Sequence, residues 1–125
     1  MTLNIHVAWV GFLMGCISGV VTGLFFHSEN WLGGYASWTR RMIRLGHLAF
    51  WGLAFLNLAF ALTARALGLT SGLTAASMLL IVGAITMPLV CYLSAWRSYF
   101  HHAFFIPALS VTAAVVLFLL RILKQ

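Results

Sequence analysis

Apolar residues along this chain fall into four long runs separated by short polar breaks. The first covers about residues 5–26, and the second about 45–64, stopping at Arg65. A connection over 66–72 leads to a third run, 73–95, closed by Trp96 and Arg97. The fourth covers 103–120 and is closed by Arg121 and Lys124. At a rise of about 1.5 Å per residue, such runs span roughly 30 Å, the thickness of a bilayer's hydrocarbon core. Backbone groups in lipid must pair within their own segment, so each run predicts a transmembrane α-helix. The expected fold class is an all-α membrane protein, with four transmembrane helices forming one domain over 1–125.

The polar break between the first two runs is the only sizeable one. Within it Trp31, Tyr35, Trp38, Met42 and Leu45 recur at spacings of four and three, which places them on one helical face. Arg40, Arg41 and Arg44 fall away from that stripe, and Gly33-Gly34 interrupts any helix before it. The pattern predicts a short interfacial amphipathic helix over 35–44 between the first and second spans. Its arginines suit anionic lipid headgroups, or the phosphate of a lipid or cofactor.

Composition narrows the picture. Hydrophobic residues make up 63% of the chain and charged ones 6%, with a mean hydropathy of +1.05, whereas a soluble domain is about a quarter charged. The net charge of +6 reflects a shortage of acids, since Glu29 is the sole side-chain carboxylate. That excludes paired-carboxylate catalysis and metal sites built from carboxylates. The basic residues cluster where helices should end, which points to the lipid bilayer and other membrane subunits as partners, and to no nucleic acid.

Arg40, Arg41, Arg44 and Arg97 collect on one side of the membrane against Arg65, Arg121 and Lys124 on the other. The positive-inside rule then puts both termini outside the cytoplasm. An integral protein of a bacterial inner (cytoplasmic) membrane is the expected setting. The opening residues lack the basic stretch of a secretory signal and the first run is too long for one, so that span is expected to be retained. Cys16 and Cys91 fall at different depths, which argues against a disulfide between them.

Gly11, Gly15, Gly19 and Gly23 repeat at four-residue spacing through the first span. Small residues so placed let a second helix approach closely, and Ser18 and Thr22 beside them can add interhelical hydrogen bonds. Pro88 in the third run removes a backbone donor and crowds Ala84, so a kink with space beside it is expected. Asn57 is a strongly polar side chain deep in the second run and should face a partner rather than lipid.

The chemistry-bearing candidates are histidines. With four alternating spans, His27, His47, His101 and His102 share one membrane face while His6 lies on the other. Neutral imidazole ligates haem iron, copper or zinc, and a b-haem needs two such rings from different helices. His47, just inside a span, is the leading ligand candidate, with His27, His101 or His102 as its partner. Arg44, one turn earlier, could pair with a haem propionate or a quinone oxygen. The cofactor-binding set is thus His47, Arg44, His27, His101 and His102, with His47, His27 and His101 as possible metal ligands. Interface histidines also serve merely as hydrogen-bonding groups to headgroups and water.

These features predict a small non-catalytic subunit of a larger membrane complex, preferably a respiratory or other electron-transfer complex, bordering a haem b or quinone site or filling a structural role. A free-standing haem- or copper-binding assembly protein is the alternative, and a small channel or carrier the third reading. Ion-coupled transport and hydrolysis are disfavoured, because no acid lies in the spans and no nucleophile has an orienting base and acid.

Overall fold

The computed structural model describes residues 1–124, and those residues contain helices and no strand. The long helices are α1 (Thr2–Phe25), α2 (Trp38–Ala66), α3 (Thr74–Trp96) and α4 (Phe105–Leu123). Short 3₁₀ turns cover Trp31–Gly33 and Ser98–Phe104, the latter running directly into α4. Four helical segments are long and apolar enough to cross a bilayer, so the chain is an integral membrane protein. The helices pack in chain order: α1 on α2, α2 on α3, α3 on α4.

The first connection departs from expectation. No separate interfacial helix occupies 35–44; instead α2 begins at Trp38 and runs unbroken for 29 residues. Ser37 caps it, its hydroxyl accepting the backbone N–H of Arg40 at 3.2 Å. Adding a turn to a nucleated helix costs little, and no proline lies between Ser37 and Leu45 to stop it. Hydropathy marks where the hydrocarbon begins, and hydrogen bonding carries the helix past that boundary. The break at Gly33 and Gly34 is present, with φ of 86° and 94°.

Arg40 organises this connection from inside. Its side chain is 2% exposed and donates to the carbonyls of Phe26 at 3.2 Å and of Ser28 and Glu29 at 3.3 Å. Its guanidinium lies 4.9 Å from the Phe26 ring centroid, 5.5 Å from Trp31 and 6.0 Å from Tyr35. The Phe26 carbonyl is among those left unpaired past the end of α1, where the helix dipole is negative, so a cation is well placed there. The aromatic faces supply further stabilisation in place of a carboxylate.

At the opposite end three helices are joined by a buried polar cluster. The Asn4 amide donates to Asn57 Oδ1 at 2.9 Å and to the Ser77 carbonyl at 3.3 Å. Ser77 Oγ in turn donates to Asn4 Oδ1 at 2.6 Å. Asn57 Nδ2 donates to the carbonyls of Leu53 at 2.9 Å and Leu80 at 3.4 Å. Asn4 and Asn57 are completely buried, and every amide hydrogen has an acceptor, as a low-dielectric site requires. Beside this cluster, the core at the α2–α3 turn is formed by residues such as Phe60, Ala64, Leu73 and Leu80.

Candidate functional site

Close packing of α1 on α2 positions the one histidine held between helices. A Cβ on Gly11 would lie 3.0 Å from Ala54 Cβ, one on Gly15 2.7 Å from Trp51 Nε1, and one on Gly19 2.9 Å from His47 Cε1. The glycines therefore form a groove that receives Ala54, Trp51 and His47, which stand three and four residues apart along one face of α2. Gly23 has no neighbour within 4 Å. The partner of the glycine ridge is this chain's own second helix.

His47 Nδ1 is 2.8 Å from Ser18 Oγ, and Ser18 Oγ lies 3.1 Å from the Gly15 carbonyl, to which it donates. A hydroxyl has one proton. With that proton on Gly15, Ser18 Oγ accepts from the Nδ1–H of His47. Tyr92 of α3 completes the group: its ring edge would meet a Cβ on Gly46 at 2.9 Å and its centroid lies 6.1 Å from that of Phe50. The Tyr92 hydroxyl is buried and turned toward the Ser18 side chain.

The connectivity brings His27, His47, His101 and His102 to the same end of the bundle, but their side chains do not form one cluster. His27 is exposed. The His101 and His102 rings face each other at 3.9 Å on the surface, where His101 Nδ1–H donates to the Ser98 carbonyl and its ring abuts Trp38 at 6.0 Å. Arg44 turns away from His47 to bond the Tyr35 carbonyl at 3.3 Å and to cover the Tyr35 ring at 4.0 Å. No group of three or more His, Cys, Asp or Glu side chains among the described residues is arranged to hold a metal ion. His47, His27 and His101 are accordingly not assembled as a three-ligand set.

Between α1 and α3, with α2 as its floor, lies an apolar cleft in two parts. The larger, about 620 Å³, is walled by residues including Leu3, His6, Met14, Ala84, Pro88 and Tyr92. Pro88 and Ala84, where a kink with adjoining space was expected, thus form part of its wall. The smaller, about 350 Å³, is walled by Ser18, Thr22, Trp31, Ile43 and others. Met14, Phe50 and Tyr92 line both parts and mark where they meet. Sequence reasoning missed Tyr92, Asn4 and Ser77: each has an unremarkable setting in its own helix, and its significance comes from the helix it faces. The chain matches no known protein-family profile, no curated protein and no solved structure.

Proposed function

We propose that this chain is a small subunit of a larger electron-transfer complex in a bacterial cytoplasmic membrane, where it forms one wall of a haem or quinone site. The observation that carries the reading is the hydrogen-bonded pair of His47 and Ser18, with Tyr92 beside it, next to an apolar cleft whose smaller part Ser18 and Tyr92 help to line. Hydrogen-bonding side chains inside a membrane are costly and stand where something polar must be met. Large apolar side chains of α1, among them Trp9, Val10, Leu13 and Val20, are exposed and available to lipid or to neighbouring subunits. The carrier reading is less well supported, because both parts of the cleft are overwhelmingly apolar. Free-standing metal handling is disfavoured by the dispersed histidines.

The test is migration in native gels after mild solubilisation of the source membranes, followed by identification of cross-linked neighbours. Co-migration with subunits that carry haem, flavin or iron–sulfur centres is the expected result. Recovery only as a free chain, without such neighbours, overturns the assignment.

A further inference from the structure

We propose that the surface formed by Trp38, Arg41, His101 and His102 binds the phosphate of an anionic phospholipid, and binds it more tightly as the two imidazoles take up protons. The occupant comes from the surrounding bilayer, so the proposal is independent of which subunits neighbour the chain.

Two elements far apart in sequence build this surface. The indole N–H of Trp38, at the start of α2, donates to the Ser94 carbonyl at 2.7 Å, and Thr39 Oγ1 donates to the Ala95 carbonyl at 3.3 Å. Both acceptors lie in the last turn of α3, where carbonyls lack a helical amide to pair with. Trp38 is thereby a fixed platform between two basic side chains. The Arg41 guanidinium lies 5.8 Å from its ring centroid, and the His101 ring 6.0 Å. His102 stands 3.9 Å from His101, with the Tyr99 ring 5.8 Å from His102. Arg41, His101 and His102 are all exposed.

Height in the membrane identifies the anion. Trp38 and Arg41 precede the apolar run of α2, and His101 and His102 precede that of α4. Exposed Trp96, Tyr99 and Phe105 accompany them, as aromatic side chains do at a membrane–water boundary. The abundant anion at that level is the lipid phosphate. A zwitterionic headgroup adds an amine, which calls for a carboxylate. The sole side-chain carboxylate, Glu29, belongs to the connection before α2. The charged and titratable side chains around the imidazole pair are instead Arg41 from α2, and Arg97 and Tyr99 from its own connection. Such a surface favours a headgroup with phosphate and no amine.

The histidines make the binding depend on pH. His101 Nδ1–H is committed to the Ser98 carbonyl, so in the neutral ring Nε2 is an acceptor and cannot bond a phosphate oxygen. Protonation turns that nitrogen into a donor. Two imidazolium rings so close repel each other, and a phosphate beside them offsets the repulsion. Proton uptake and headgroup binding therefore reinforce one another.

The test uses the purified full chain in nonionic detergent and fluorescent phosphatidylglycerol as the probe. Unlabelled phosphatidylglycerol, phosphatidylcholine and inorganic phosphate serve as competitors. Saturable binding displaced by phosphatidylglycerol alone is expected, tightening about fivefold or more from about pH 8 to about pH 5.5. Arg41→Gln should weaken binding about fivefold at either pH. The double variant His101→Gln/His102→Gln should bind at the lower pH no better than at the higher. Arg65→Gln, at the opposite end of α2, should match the parent. Equal displacement by phosphatidylcholine, or by inorganic phosphate, would overturn the anionic lipid as occupant. Full affinity in Arg41→Gln, or an unchanged pH response in the double histidine variant, would overturn the site.

Discussion

Replacing Asn4 by Leu is the sharpest test of how the bundle is tied together. Asn4 makes three interhelical hydrogen bonds: two donated, to Asn57 and the Ser77 carbonyl, and one accepted from Ser77 Oγ. Interhelical side-chain bonds in a membrane protein average about 0.6 kcal/mol each, which gives about 2 kcal/mol for the set. That corresponds to roughly a thirtyfold shift in the folding equilibrium. Leu has nearly the shape of Asn, so little packing is lost and the effect isolates the polar contacts. Asn57→Leu should cost less, because one of the three bonds it removes runs to Leu53 of its own helix. The double variant should cost less than the two singles together, since neither amide is then left facing an apolar group. Unfolding in mixed micelles with rising SDS, followed by tryptophan fluorescence, measures all three. Hydrogen exchange in the first turns of α1 should rise in Asn4→Leu before exchange rises elsewhere. An Asn4→Leu variant within about 0.5 kcal/mol of the parent, or strict additivity in the double variant, would refute the cluster as an interhelical tie.

Two further outcomes follow from the packing. Gly15→Leu should destabilise by about 1–3 kcal/mol, because the new side chain must displace the Trp51 indole, whereas Gly23→Leu should be nearly silent, since nothing lies within 4 Å; thermal unfolding in detergent compares them. Arg40→Met should strip three backbone carbonyls of their donors and open the 26–37 loop to limited proteolysis, with a cost of about 2 kcal/mol. Arg40→Lys should recover little of this, because one ammonium cannot reproduce the planar fork.

Spans and crossing number are legible in this sequence because lipid imposes a length and forbids unpaired backbone. The third run, read as 73–95, corresponds to α3 at Thr74–Trp96. Helix ends beyond the hydrocarbon are less legible: Trp38 to Arg44 look amphipathic and separate, yet the Ser37 cap joins them to the span. Polar partners were half visible. Asn57 stands out as costly in its own run, but Asn4 falls just before the first apolar run, and only the register of α1 against α2 brings the two together. By sequence Arg40 is indistinguishable from Arg41 and Arg44 beside it; which arginine turns inward depends on where the α1 carbonyls end. Counting crossings brings four histidines to one end of the bundle, but it cannot say which ring points inward.

The anchoring of α1 has a kinetic meaning. It is held at one end by Asn4, at the other by Arg40 gripping the carbonyls that follow it, and in between by glycines seated on α2. Its flank toward α3 is tied at the Asn4–Ser77 end and elsewhere borders the apolar cleft. Anything occupying the cleft therefore arrives sideways, out of the surrounding leaflet, without crossing water or parting the bundle ends. Occupancy is then set by moles of the molecule per mole of lipid and by its diffusion in the plane of the membrane. Dilution of the aqueous phase leaves it unchanged, while dilution with fresh lipid empties it.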